Sequence, residues 1–341
     1  MSEHDQALVV GISRYAAAAA DPPWLKDLNG PDNDALAIGE WLRRDDGGGL
    51  KDENVRLIRS ADFADPASMG PQQRAVVDAF TELKELPTDG FEGQYAGRRL
   101  YVYASGHGMA ARREDAALVT AEATLDDRLN VLVNSWFDWF WYAGRFKEYV
   151  LWIDTCATRQ PVGFLRPCPW TPEFHIASGE GDLFVAFAAE YGKMAVENQL
   201  EGEWHGVFSY ALLKALNGAI PSPVTSESLK GYLHNSLATF MTQAQVNHSG
   251  VAKEPAFGTT DALVFTTPPQ QSFAVTLEFP QDCVGKEATI STAQGLIHTT
   301  TLQQARWTVD LEVGGYAAYV QELDRTYGFG VTGGEGVITL H

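Results

Sequence analysis

The chain has 341 residues, with 25 Lys and Arg against 44 Asp and Glu and a formal net charge of −19. That balance argues against nucleic acid or an anionic membrane as partner and is compatible with cationic substrate segments, while the length calls for a large domain plus a smaller one. Three cysteines without paired spacing, Cys156, Cys168 and Cys283, an acidic start M-S-E-H-D-Q and no run of roughly 18 apolar residues predict a cytoplasmic protein with neither a disulfide framework nor a zinc site.

In chain order, A-L-V-V-G-I at 7–12 reads as a buried strand. The turn residues L-N-G-P-D-N-D-A at 28–35 then lead into an amphipathic helix through Leu36, Ile38, Trp41 and Leu42, with Asp34 as a first-turn carboxylate suited to the helix dipole. Gly47 to Gly49 form a turn before a second strand at 54–59, and a helix over 72–86 follows, with Val76, Val77, Phe80 and Leu83 on its buried face. The apolar run L-Y-V-Y-A-S-G-H-G at 100–108 is the third strand. An exposed loop at 109–115 and a short strand at 116–120 precede T-L-D-D-R-L-N at 124–130, where Asp126 and Asp127 read first as a helix cap. A Trp- and Phe-rich helix at 134–146 leads into a further long strand, Y-V-L-W-I-D-T-C, at 149–156. The segment 157–180, with Pro161, Pro167, Pro169 and Pro172, is irregular. A strand at 182–188, a helix within 205–218, a helix at 227–242 and a strand at 262–265 complete this part. T-T-P-P-Q-Q at 266–271 is a linker by composition. Beyond it, alternation at Phe273, Val275, Leu277 and Phe279 and at Trp307, Val309, Leu311 and Val313, with Gly-rich turns at Gly314 and Gly333, predicts a small β-sandwich over 272–341.

Two of these runs stop at a reactive side chain. Continuous apolar strands rich in Val, Ile, Tyr and Trp suit a parallel sheet covered on both faces, and open α/β sheets place their chemistry at the carboxyl edge of the strands. If both run parallel in one sheet, His107 and Cys156 emerge together at that edge. A thiol needs a nearby imidazole to become a nucleophile, and a Cys and a His distant in sequence but adjacent in the fold are the arrangement of a cysteine protease. The glycines beside the His let the backbone come close to a substrate, so the Gly108 and Cys156 NH groups are candidate oxyanion donors. Asp154, two residues before Cys156 on the same strand, projects to the same side.

S-G-H-G after one strand and D-T-C after another, with His107 and Cys156 49 positions apart, resemble the caspase-like cysteine peptidases. The Asp two before the Cys is more similar to the metacaspase and bacterial orthocaspase branch than to animal caspases. After the nucleophile stand Ala157, Thr158 and Arg159, where the family usually has a small residue and then Gly. The resemblance covers roughly residues 5 to 266 and implies a caspase-like, mostly parallel sheet flanked by helices over 1–266, with 157–180 as the linker between large- and small-subunit-like parts. It also implies an acidic pocket of Asp34 and Asp154 for the residue before the cleaved bond. Two carboxylates receive a planar guanidinium more favourably than an ammonium, so cleavage of proteins after Arg, less after Lys and not after Asp, is expected.

Arg159 and Arg166 are then candidate processing sites, and an activating protease or regulatory partner within a bacterial defence or cell-death pathway is the implied setting. No cofactor is expected. Some metacaspases hold calcium near the position of Asp126 and Asp127, but Ca²⁺ requires six to eight oxygens and two carboxylates are visible. The competing reading is a caspase-like pseudoenzyme that binds or scaffolds through its β-domain.

Overall fold

The computed structural model describes residues 4–19, 25–63, 69–171, 181–220, 223–259, 263–266, 273–292, 295–311, 314–331 and 337–340. They fall into two compact units, Met1–Thr267 and Pro268–His341.

The first unit is a three-layer α/β/α structure. Strand β1 (Gln6–Gly11) leads to helix α1 (Pro31–Arg43), which opens with Pro31, a residue whose fixed φ suits the first helical turn. Strand β2 (Val55–Arg59), helix α2 (Gln73–Lys84) and the ten-residue strand β3 (Gly97–Gly106) follow. Three short strands, β4 (Gly108–Ala110), β5 (Ala117–Val119) and β6 (Asn130–Leu132), precede helix α3 (Val133–Tyr142). Then come β7 (Phe146–Thr155), β8 (Thr158–Arg159), β9 (Asp182–Phe187) and the hairpin of β10 (Glu197–Leu200) and β11 (Glu203–Gly206). Helix α4 (Val207–Lys214), strand β12 (Val224–Thr225), helices α5 (Ser226–Ser236) and α6 (Gln243–Asn247), and strands β13 (Ala256–Thr259) and β14 (Val264–Thr266) close the unit.

The main sheet has the order β13-β9-β7-β3-β1-β2. Every neighbouring pair is parallel except β13 with β9. Both faces are covered, which is why β3 and β7 are apolar without alternation. On one side α2 and α3 place Val76, Phe80, Leu83, Trp136, Phe137 and Phe140 against Leu100, Val102, Leu151 and Ile153. On the other, α1, α4 and α5 place Ile38, Trp41, Phe208, Leu212 and Leu229 against Tyr101, Tyr103, Val150 and Trp152. The aromatic helix is therefore core. It ends at Tyr142, short of the expected 146, because Phe146 already starts β7.

Several expectations are corrected. Residues 109–110 are not exposed loop: Met109 and Ala110 are buried in β4, which pairs with β5 and β8. Leu36 lies on the exposed side of α1. The segment 264–266 is a strand that pairs with β12 and lies outside the main sheet, whereas β13 supplies the antiparallel edge. No helix starts at Asp126 or Asp127; both lie in a loop, where the Asp127 NH donates to Thr124 Oγ1 at 3.0 Å. The linker residues 267–271, and 172–180 of the irregular segment, lie outside the described residues.

The second unit contains β15 (Phe273–Glu278), β16 (Glu287–Thr292), β17 (Gly295–Thr301), β18 (Arg306–Leu311), β19 (Gly314–Val320), β20 (Arg325–Val331) and β21 (Val337–Thr339). They form two sheets, β18-β15-β21 and β17-β16-β19-β20, around a core of Val275, Leu277, Ile290, Leu311, Ala318 and Val320. Gly314 begins a strand rather than forming a turn; Val313 and Gly333 lie outside the described residues. Among the described residues no helix is long and apolar enough to cross a membrane.

Candidate active site

The parallel register of β3 and β7 pairs Ser105 with Asp154 and Gly106 with Thr155, so the next residues, His107 and Cys156, leave the sheet side by side at its carboxyl edge. Neighbouring strands lie about 5 Å apart, so the two backbones are close, while each side chain has its own partner, the Lys26 carbonyl for His107 and the Ala195 carbonyl for Cys156. Gly108 is confined to this spot: a Cβ there would overlap the Cys156 carbonyl and the Thr155 side chain. Thr158 and Arg159, where the sequence departs from the usual glycine, are accommodated as β8 alongside β4.

The imidazole is oriented by two contacts absent from the sequence reading. His107 Nε2 is 2.7 Å from the Lys26 carbonyl, which can only accept, so Nε2 carries the hydrogen and Nδ1 keeps the lone pair. Tyr15 stacks obliquely on the ring at 4.8 Å between centroids, accepts the His107 NH at 2.8 Å and donates to the Ile12 carbonyl at 2.9 Å. Burial pulls the imidazole below its usual pKa, against the Lys26 carbonyl and Glu197, which favour its charge. The Cys156 thiol donates to the Ala195 carbonyl at 3.6 Å. Cys156 keeps some exposed surface, but the protein packed around its sulfur dominates and pushes its pKa up to about 11.

Asp34 and Asp154 converge on Gly206, the last residue of β11. A Cβ at Gly206 would overlap Asp154 Oδ2 and come within 3.2 Å of Asp34 Oδ2. Asp154 Oδ2 accepts from the Ser209 NH at 3.1 Å and from its hydroxyl at 2.6 Å, at the start of α4, where a helix dipole favours negative charge. Asp34 Oδ2 accepts from the Gly206 NH at 2.7 Å, and Asp34 Oδ1 lies 2.7 Å from His205 Nδ1. Both acids are deeply buried, Asp34 at 0% and Asp154 at 5% exposure. Burial, and for Asp154 next the charge of Asp34, raises Asp34 to about 6 and Asp154 to about 7. Glu197 adds a third carboxylate; it accepts from the Asn29 and Gly30 NH groups at 2.9 and 2.8 Å, ahead of α1. Glu197, Ser209 and the pairing of His205 with Asp34 have no sequence signature, because they come from a polar hairpin and a helix start without periodic pattern.

The other candidates lie elsewhere. Arg159 is held in β8 with its guanidinium 5.1 Å over the Tyr191 ring. Arg166 donates its NH to Asn130 Oδ1 at 3.0 Å, its carbonyl accepts from Leu132 at 3.0 Å, and its side chain reaches Asp127 at 3.6 Å. With Asp127 facing an arginine and Glu122 of the same loop accepting from the Gln73 NH, these residues do not fit a calcium shell, and no cluster of three or more His, Cys, Asp or Glu suited to a metal occurs among the described residues.

No family model matches the sequence. A curated protein of a Desulfuromonadales bacterium, described as a probable protease, is 29% identical over 249 residues, 67% of this chain; the chain spans only 27% of that protein's length. Among solved structures, the crystal structure of caspase-1 from Spodoptera frugiperda superposes with a TM-score of 0.51 at 13% identity, covering 78% of this chain and 91% of that one. With its parallel sheet, flanking helices and single antiparallel edge strand, the chain has the caspase-like fold.

Proposed function

We propose that the chain is a cytoplasmic cysteine endopeptidase that cleaves proteins after Arg, and less efficiently after Lys. The observation that carries this reading is that β3 and β7 run parallel in register up to Gly106 and Thr155, so His107 and Cys156 follow at one sheet edge, with Asp154 two residues before the thiol and packed with Asp34 against Gly206. Cys156 attacks the scissile carbonyl, His107 Nδ1 takes the thiol proton and later delivers it to the leaving amine, the Gly108 and Cys156 NH groups hold the oxyanion, and water releases the acyl-enzyme. The relative described as a probable protease supports the activity.

At rest the thiol and imidazole are both neutral. Burial raises the proton affinity of the thiol and lowers that of the imidazole, so the proton stays on sulfur at rest and moves during attack. The buried thiol also favours a second reading, a caspase-like scaffold without turnover. Because Arg159 and Arg166 are backbone-paired, we assign activation to a binding partner rather than to cleavage at these sites, within a bacterial defence or cell-death response.

Fluorogenic peptides ending in Arg, Lys or Asp separate these readings. The enzyme reading expects turnover in the order Arg, Lys, Asp, and a loss of at least about 10³-fold in Cys156→Ala with the fold intact. Preferential Asp turnover would end the acidic-pocket reading, and equal rates for wild type and Cys156→Ala would favour the scaffold.

A further inference from the structure

The acid of Asp34 is already occupied. His205 Nδ1 sits 2.7 Å from Asp34 Oδ1 and the Gly206 NH takes Oδ2, and while Asp34 has no exposed surface the His205 side chain keeps 13% of its own. The imidazole is thus the more exposed member of the pair. Its ring is held by packing, 5.6 Å from Tyr210, which in turn packs on Phe240 at 5.1 Å.

Resting on the reading that this pocket receives Arg, we propose that His205 determines the pocket's specificity as a built-in cation: its imidazolium neutralises Asp34 in the empty enzyme, and a substrate guanidinium takes over that role while His205 gives its proton to solvent.

The surrounding charges set the sign. Asp34 faces His205 from α1, and the hydrogen bond to it is the main reason the imidazole favours its proton. Glu203 Oε2 lies 3.9 Å from Nε2 on the same strand, Glu201 adds a negative field from the hairpin turn, and Lys214 of α4 is tied to Glu201 at 2.6 Å and lies 5.2 Å over the Tyr210 ring. Glu197 of β10 and Asp154 of β7 complete the acidic surroundings, both acting on the same buried carboxyls. A guanidinium placed on Asp34 and Asp154 beside an imidazolium puts two cations on two carboxylates already partly neutralised by the Gly206 NH and the Ser209 donors, respectively. Like charges at this range disfavour one another, and the imidazole is the partner able to lose its charge near neutral pH. No other atom changes hands: one N–H bond at His205 breaks, its proton leaves to water, and the guanidinium stays protonated. Basic-peptide binding therefore tightens as pH rises through the His205 titration.

The test follows the His205 ring in the full chain by NMR of histidine-labelled Cys156→Ala, the resonance being assigned by its loss in His205→Gln. Saturation with an acetylated tetrapeptide amide ending in Arg is expected to lower the His205 midpoint by at least about one pH unit, a tenfold change in its proton affinity. In wild type, KM for the matching substrate is expected to fall from pH 6 to pH 8 as Asp34, Asp154 and His205 all lose protons, and His205→Gln to make that slope shallower by the His205 share, up to about tenfold. A midpoint unmoved or raised by the peptide overturns the proposal, as does the same KM profile in His205→Gln; a purely structural His205 would change melting temperature and kcat and leave the slope alone. Failure of the underlying reading has a different signature: wild type then turns over neither Arg nor Lys peptide, and both fall.

Discussion

The Cys156 thiol rests protonated, since burial holds it near pKa 11 and its hydrogen lies on the Ala195 carbonyl. Iodoacetamide should therefore modify it slowly at pH 7 and faster as pH rises past 9, followed by mass spectrometry of the Cys156 peptide; full alkylation within minutes at pH 7 would contradict a buried thiol. Slow alkylation is compatible with an enzyme that deprotonates only during attack, so it does not by itself indicate a scaffold. The pocket acids carry a stability cost of calculable sign. Asp34 and Asp154 titrate higher in the folded chain than in the unfolded one, so the folded state holds more protons between about pH 4 and pH 7 and stability falls as pH rises through that window. His205, raised by Asp34, acts in the same direction, its contribution present at low pH and lost as pH rises through its folded value. Asp154→Asn keeps an acceptor for Ser209 without the buried charge. It should stabilise the protein at pH 8 by on the order of a few kcal/mol, flatten the fall in melting temperature from pH 5 to pH 8, and lose Arg-peptide turnover. An unchanged pH slope in calorimetry would show that the carboxyl is not buried as an anion.

At the scale of elements, the site depends on close backbone approach at two strand ends. Gly206→Ala and Gly108→Ala place a methyl on Asp154 and on the Cys156 carbonyl, respectively, so each should destabilise by about 1–3 kcal/mol in urea melts and reduce peptide turnover far more than that loss of stability implies. A variant with wild-type turnover would show that the strand ends have room to spare. The same elements show what was legible beforehand. Strands β3 and β7 are apolar on both faces and end at Gly106 and Thr155, just before His107 and Cys156, so the sheet and its direction followed from sequence. Asp154 followed from side-chain alternation. The hairpin β10–β11 did not, because E-N-Q-L and E-W-H-G are short, largely unburied and without a period of two; with it went Glu197 and the tie between His205 and Asp34. His205 stands just before an apolar helix, where its residue type reads as structural. The edge strand β13, A-F-G-T, was invisible for the same reason of length, and β4 because its three residues, G-M-A, stand shortly before arginines that read as loop.

Across the whole molecule, each unit carries its own core, and the chemistry argued here lies within Met1–Thr267. The net charge of −19 gives the protein a negative field that attracts basic segments over the distance allowed by salt screening, in the same direction as the preference proposed for the pocket. The central claim is that a thiol and an imidazole at the sheet edge cut peptide bonds behind a guanidinium held by buried acid. It is tested most directly by incubating wild type and Cys156→Ala with a proteome-derived peptide library and sequencing the new termini by mass spectrometry. Wild-type termini are expected to be dominated by Arg before the cut, with Lys a minority, and none are expected in Cys156→Ala. Termini following Asp, or the same termini from both proteins, would contradict it.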